Sequence, residues 1–144
     1  MKKSSATSAA LLILRVALGV IFTAHGWQKF NEFTIAGTQA SFAQMGVPAA
    51  DVVAPVVAVL ELAGGVALIL GLFTRIVAAL LALDMLGALF LVHAAAGIYV
   101  TNGGYELVLI LAASAAALSL AGAGGFSIDA AFSGRRGRRT KTTA

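Results

Sequence analysis

Several polar side chains lie near the same predicted side of the membrane, where they could bind a ligand together. His25 and Lys29 are four residues apart, so on a helix they share one face. His93 comes at a similar depth on a later segment, and Tyr105 and Glu106 begin the last one. Such a group offers donors and acceptors to a small polar or amphipathic molecule. The predicted catalytic residues are His25, Lys29 and Glu106, and the predicted cofactor-binding residues are His25, Lys29, His93 and Tyr105.

A quinone head group suits these side chains. Its two carbonyls need donors such as His or Lys, and a carboxylate can supply the protons that reduction requires. Haem held by His25 and His93 is the weaker alternative, because two histidines without a distinctive spacing are unspecific. We predict no other metal site, and the chain has no cysteine to ligate zinc or to carry a persulfide.

A second polar group lies within the apolar segments and consists of Arg15, Glu61 and Asp84. An ionised side chain near the bilayer centre costs about 2.5–3.5 kcal/mol on insertion scales, so each needs a partner or a purpose. The long guanidinium side chain of Arg15 on the first helix can approach the depth of Asp84, and Glu61 lies slightly farther from the cytoplasmic end. We therefore predict a structural ion network in which Arg15 pairs with Asp84 or Glu61, although a proton relay is also possible.

The composition indicates that lipid surrounds these groups. Hydrophobic residues make up 60% of the 144-residue chain and charged residues 11%, whereas soluble domains carry about 25% charged residues. A helix needs roughly 20 apolar residues to cross a bilayer. Four segments reach that length: residues 9–30, 52–73, 76–99 and 105–123. We predict an all-α membrane protein built as a four-helix transmembrane bundle.

The remaining parts of the chain flank this domain or interrupt it. We assign residues 1–8 to a cytoplasmic N-terminus, 9–126 to the membrane domain and 127–144 to a basic cytoplasmic tail. The connection over 31–51 carries Phe33, Phe42 and Met45 among small polar residues, which predicts a short interfacial helix or an ordered lid.

Charge distribution predicts the orientation in the membrane. One side of the membrane would hold Lys2, Lys3, Arg75 and the basic tail, and the other side would hold Lys29. Because cytoplasmic segments carry the excess of Lys and Arg, both termini are expected in the cytoplasm. The first segment is expected to be retained, because bulky His25-Gly26-Trp27 stands where a signal peptidase needs small residues.

The partners expected from composition are few. Half of the ten basic residues lie within 135–141, and nothing else in the chain supports nucleic-acid binding, so we predict no nucleic-acid partner. The tail is expected to touch anionic lipid. Small residues on the second and third helices favour close packing within the bundle, with a homo-oligomer as the alternative.

The sequence resembles the DoxX family along nearly its whole length. The motifs that carry the resemblance are Arg15-x-x-x-Gly19-x-x-Phe22-x-x-His25-Gly26-x-x-Lys29-Phe30, Gly46-Val47-Pro48, Glu61-Leu62-Ala63-Gly64-Gly65, Gly71-Leu72-Phe73-Thr74-Arg75, Asn102-Gly103-Gly104-Tyr105-Glu106 and Gly122-x-Gly124-x-x-Ser127-Ile128-Asp129. The resemblance implies a small four-helix protein of the bacterial inner membrane. It also implies a place in an oxidoreductase system, quinone-linked and tied to thiosulfate or oxidative-stress metabolism.

Two other functions fit the same residues. The protein could be a non-catalytic scaffold whose basic cytoplasmic face anchors soluble redox enzymes. It could also be a subunit of a small proton-coupled transporter, since buried carboxylates mark proton paths, although a single copy of four helices leaves little room for one.

Overall fold

The computed structural model describes residues 4–139, which form helices joined by turns and short loops, with no β-strand among them. The helices are α1 (Ser5–Asn31), α2 (Thr34–Gln44), α3 (Ala50–Leu70), α4 (Thr74–Ala88), α5 (Glu106–Ala121) and α6 (Ile128–Arg139). A π-helical turn, Leu89–His93, and a 3₁₀ turn, Ala94–Ala96, continue α4. A second 3₁₀ turn, Val100–Asn102, precedes α5.

Three of the helices are long and apolar enough to cross a membrane: α1, α3 and α4 together with its continuation to Ala96. They correspond to the first three predicted spans. The fourth predicted span forms α5, which has 16 residues. At 1.5 Å per residue its length is about 24 Å, less than the roughly 30 Å of a typical hydrocarbon core. A fourth crossing therefore stays a prediction.

Glycines bring α1 and α3 into close contact. A Cβ atom at Gly19 would lie 2.6 Å from the carbonyl oxygen of Gly65, and one at Gly26 would overlap the backbone of Leu62. Neither position has room for a side chain, so the two backbones touch as they do in tightly packed membrane helices. This contact aligns the residues that follow Gly26 with those that precede Leu62.

The core of the bundle is apolar, and so is much of its outer surface. Phe22, Leu68, Leu81 and Leu118 are fully buried between the helices. Many large apolar side chains point outward, among them Ile13, Leu83, Phe90, Ile110 and Leu120. An apolar exterior of this extent is costly in water but suits hydrocarbon.

One end of the bundle holds Ser8, Phe73 and Asp129, and we call it the terminal end. The Ser8 hydroxyl accepts a hydrogen bond from the backbone N–H of Gly125 at 3.1 Å. The backbone N–H of Asp129 donates to the carbonyl of Gly71 at 2.9 Å. These contacts fasten the start of α6 to α1 and to the turn between α3 and α4. Lys2, Lys3 and Lys141, which the orientation argument used, lie outside the described residues.

The connection between α1 and α3 contains the predicted short helix, α2. The Gln39 amide donates to the carbonyl of Asp51 at 2.8 Å, and the Thr38 hydroxyl lies 3.2 Å from the carbonyl of Lys29. These contacts hold α2 against both neighbours. The side chains of Phe42 and Met45, at its C-terminal end, help to line the cavity described below. This position fits the lid that we weighed as an alternative.

Candidate ligand-binding cavity

A cavity of about 640 Å³ lies between α1, α3, α4 and α5, toward the end of the bundle opposite the terminal end. Its wall is mainly apolar and includes Phe22, Leu60 and Met85. Five ionisable side chains also reach it: His25 and Lys29 from α1, Glu61 from α3, Asp84 from α4 and His93 from the π-helical turn. An apolar space with a few convergent polar groups is the usual form of a small-molecule site.

Lys29 and Glu61 form an ion pair in this cavity. The Nζ atom of Lys29 lies 2.5 Å from Oε2 of Glu61, and their side chains are 14% and 5% exposed. The close packing of Gly26 against Leu62 explains the pairing, because Lys29 is one helical turn after Gly26 and Glu61 directly precedes Leu62. This pairing differs from the prediction, in which Lys29 and Glu61 belong to separate polar groups.

Asp84 reaches the same cavity from α4 without a hydrogen-bond partner. Its Oδ2 atom is buried, and no donor among the described residues lies within reach of it. Leu80, Ala88 and Leu91 also line the cavity, and their spacing from Asp84 places all four on one helical face. A buried carboxyl oxygen without a partner is rare in folded proteins, since leaving it unpaired is costly.

Both histidines contact a backbone carbonyl through Nδ1. In His25 this atom lies 2.9 Å from the carbonyl oxygen of Ile21, and in His93 it lies 2.6 Å from that of Gly103. Because a carbonyl only accepts, Nδ1 must carry the hydrogen in both rings, and Nε2 is left for other interactions. The π-helical turn adds a residue to α4 just before the chain leaves it, a distortion that often occurs at functional sites.

Glu106 and Tyr105, which we predicted in this group, do not line the cavity. An Oε1 atom of Glu106 accepts from the backbone N–H of Val100 at 2.6 Å, so the carboxylate is used within its own loop. Tyr105 packs against the apolar core. The reason is that residues 97–104 fold back onto the start of α5, with the N–H of Tyr105 bonded to the carbonyl of Gly97 at 3.0 Å.

Arg15 does not pair with Asp84 or Glu61, and that part of the predicted ion network was wrong. Its guanidinium is buried at the terminal end and donates to the carbonyls of Leu68 and Ile69, at 3.1 and 2.7 Å, and to that of Phe126. The last carbonyls of α3 lack partners within the helix and carry its negative dipole end, so they attract a cation. We had considered only carboxylates as partners for Arg15.

Asp129 is a structural residue that the sequence analysis missed. Its two carboxylate oxygens accept from the backbone N–H groups of Phe73 and Thr74, at 2.8 and 2.9 Å. They thereby cap the N-terminus of α4 from a distant part of the chain. The usual signal of a cap is a polar residue directly before the helix, but here Phe73 holds that position.

The DoxX family model matches residues 10–94, which is more than half of the chain. This protein belongs to the DoxX family. The matched region contains all five ionisable residues of the cavity, whereas Glu106 and Asp129 lie beyond it.

Curated relatives of this DoxX protein are found in several bacteria. A Bacillus subtilis protein named "Putative oxidoreductase CatD" is 40% identical over 69% of this chain and 71% of its own length. An uncharacterized protein of Haemophilus influenzae is 35% identical over 85% of this chain and 90% of its own. The Escherichia coli inner membrane protein YqjF is 32% identical over 83% of this chain and 88% of its own. No solved structure matches the chain significantly.

Proposed function

We propose that this DoxX protein is an integral membrane subunit of an oxidoreductase system and that it binds a quinone in the cavity. The observation that carries the proposal is the grouping of five ionisable side chains within a cavity whose wall is otherwise mainly apolar. Such a wall suits the ring and tail of a lipid-soluble molecule, and the polar groups suit its head. The name of the Bacillus subtilis relative supports the oxidoreductase class.

The residues of the cavity fit a quinone in size and in chemistry. A volume of about 640 Å³ lies within the roughly 300–1,000 Å³ of ordinary ligand pockets. The unpaired Oδ2 of Asp84 is a polar atom for which the rest of the protein supplies no partner. When bound, a quinone would supply the capacity to carry electrons and protons. The chain itself would bind the head group through Asp84 and the histidines and exclude water from it.

The ion pair between Lys29 and Glu61 would help to hold the ligand. Since Nζ of Lys29 is already bonded to Glu61, the ammonium fixes the carboxylate next to the cavity and offers its other hydrogens to a ligand. The histidine rings are oriented by their carbonyl contacts, so each presents Nε2 in a fixed direction. A link to thiosulfate or oxidative-stress metabolism would then need a partner enzyme, because this chain has no thiol for sulfur transfer.

A non-catalytic scaffold is the second candidate, and the attachment of α6 favours it. Asp129 and Arg15 fasten the start of α6 to the bundle, so the basic part of the sequence follows a segment with a defined attachment. Soluble redox enzymes could dock there. In this case the cavity would be dispensable, whereas residues 135–144 would be required.

The finer topology is also part of the proposal. We place the protein in the bacterial cytoplasmic membrane with both termini in the cytoplasm, and we propose that α5 completes a fourth crossing. An inner-membrane relative supports the location. The apolar sequence of α5 and its packing against α4 support the crossing.

One experiment tests whether the cavity holds a quinone. The full-length protein is purified in lipid nanodiscs and analysed for quinone by solvent extraction and for haem by absorbance. A His25→Ala, His93→Ala double variant is compared with a truncation after Gly134, which keeps Asp129 and removes only the basic end. We expect the wild type and the truncation to retain quinone and the double variant to lose it. Wild-type protein that neither retains nor rebinds quinone would exclude the proposal.

A further inference from the structure

The charged side chains around Asp84 restrict the kind of head group that the cavity can bind. Lys29 is the only Lys or Arg among the described residues that line the cavity, and it is engaged with Glu61. The other ionisable side chains that line the cavity are His25 and His93, each in contact with a carbonyl through Nδ1. The segments from α2 and α5 contribute no ionisable side chain to the wall. The carboxyl of Asp84 therefore has no cation of its own.

The unpaired oxygen of Asp84 argues against a purely structural role. A carboxyl that served to fix helix register would be bonded to a neighbouring helix, as Glu61 is bonded to Lys29. Asp84 instead leaves Oδ2 buried beside a cavity without a donor. A protein that keeps such a group gives up stability, and a bound molecule that completes the hydrogen bond would recover it.

We infer that Asp84 is the residue that hydrogen-bonds the ligand's head group, and that this head group is uncharged and carries a hydroxyl or carbonyl oxygen. The inference rests on the proposed function and deepens it. A carboxylate accepts a hydrogen bond from a hydroxyl, and a protonated carboxyl donates one to a carbonyl. A single side chain thus serves both the reduced and the oxidised form of a quinone-like head.

The same arrangement excludes small anions from the cavity. A sulfonate or a thiosulfate-like anion would have to leave water for a mainly apolar space that holds the carboxyls of Asp84 and Glu61, and this transfer is costly without a free cation to pair with. The positive charge of the one lysine in the wall is already balanced by Glu61. An anionic sulfur substrate would therefore react on a partner protein, and the cavity would take only the uncharged lipid-soluble molecule.

The test uses full-length protein in nanodiscs and two matched probes, 1,4-naphthoquinone and its 2-sulfonate. Dissociation constants are measured by calorimetry for the wild type, Asp84→Asn and Asp84→Leu. Asp51→Leu serves as the control, because Asp51 is exposed and does not line the cavity. The melting temperature of each variant is recorded in the same nanodiscs.

We expect wild-type protein to bind the uncharged quinone at least tenfold more tightly than the sulfonate. Asp84→Leu should weaken quinone binding at least tenfold, and Asp84→Asn should weaken it by less, because an amide both donates and accepts. The melting temperature of Asp84→Leu should be equal to or above that of the wild type, since an unpaired buried carboxyl is removed.

Three results would overturn the inference. If Asp84→Leu binds the quinone as the wild type does, another residue holds the head group. A lower melting temperature with unchanged affinity would show that Asp84 is structural. Equal binding of the sulfonate and the quinone by the wild type would refute the charge argument. Failure of the wild type to bind either probe would instead refute the proposed function, on which the inference rests.

Discussion

The ammonium of Lys29 lies 2.5 Å from the carboxylate of Glu61, on the wall of the cavity and almost out of contact with solvent. The two residues are 32 positions apart in sequence and meet because α1 and α3 touch at Gly26. Breaking one side of a buried pair leaves an uncompensated charge, whereas replacing both sides with apolar groups can be neutral.

The first prediction follows from that asymmetry. Lys29→Met should lower the free energy of unfolding by about 3 kcal/mol, because it leaves the Glu61 carboxyl without its partner. The double variant Lys29→Met, Glu61→Leu should recover most of the loss. Unfolding in mixed detergent micelles measures both. If the losses measured for Lys29→Met and for Glu61→Leu alone simply add in the double variant, the residues are not coupled.

The second prediction concerns Arg15, which bonds three carbonyls at the terminal end. Arg15→Met should cost about 3 kcal/mol or more, because buried carbonyls lose a charged donor. Arg15→Lys should restore only part of this, since an ammonium does not reproduce the planar set of guanidinium donors. Limited proteolysis should detect loosening of residues 122–129. Unaltered proteolysis in Arg15→Met would contradict the role of the guanidinium in holding this segment.

The third prediction tests the remote cap. Asp129→Ala should destabilise the protein by about 1–2 kcal/mol, because two N–H groups at the start of α4 lose their acceptors. Hydrogen exchange at Phe73 and Thr74 should rise in the variant. Asp51→Ala changes an exposed aspartate at the start of α3 and serves as the comparison. Equal effects of the two substitutions would argue against a cap by Asp129.

The fourth prediction compares two glycines within helices. Gly26→Ala should destabilise the protein by about 1–3 kcal/mol, because the added methyl group would overlap the backbone of Leu62. Gly87→Ala places the same methyl group in open space on α4 and should be neutral or stabilising by about 0.5–1 kcal/mol. Thermal unfolding of both variants is sufficient. A neutral Gly26→Ala would mean that α1 and α3 are not in close contact.

The fifth prediction concerns topology and uses the absence of cysteine from the chain. A membrane-impermeant maleimide on intact cells should label Thr101→Cys and leave Ser133→Cys unlabelled until the membrane is permeabilised. These positions lie on either side of α5, so the result also tests whether α5 crosses. Labelling of both positions from outside would exclude a crossing by α5.

The long helices could be predicted because the length of an apolar segment can be read from consecutive residues alone. α1, α3 and α4 correspond to the first three predicted spans, with ends displaced by a few residues. The fourth segment formed a helix of 16 residues, shorter than predicted, chiefly because it ends at Ala121, where Gly122 takes a φ of 80°.

It was harder to predict from the sequence which polar residues pair with one another. Depth along a helix follows from 1.5 Å per residue, which is why His25, Lys29 and His93 were expected near one another. The rise per residue does not give the rotation of a helix about its axis or the distance between two helices. Arg15 and Glu106 lie outside the groups predicted for them for a common reason: their side chains bond to backbone groups at helix ends and turns, and such groups leave no mark in a residue pattern.

The amino-acid sequence alone determined that lipid surrounds this protein, which segments become long helices, and that its ionisable residues need partners. Only the tertiary structure decided which partners they have. The contact at Gly26 set Lys29 against Glu61, and the free end of α3 drew Arg15 away from the carboxylates. The hydropathy of a segment is a sum over its own residues, so the sequence contains it. An ion pair depends on the distance between two helices to within about an ångström, which the sequence of either helix does not contain.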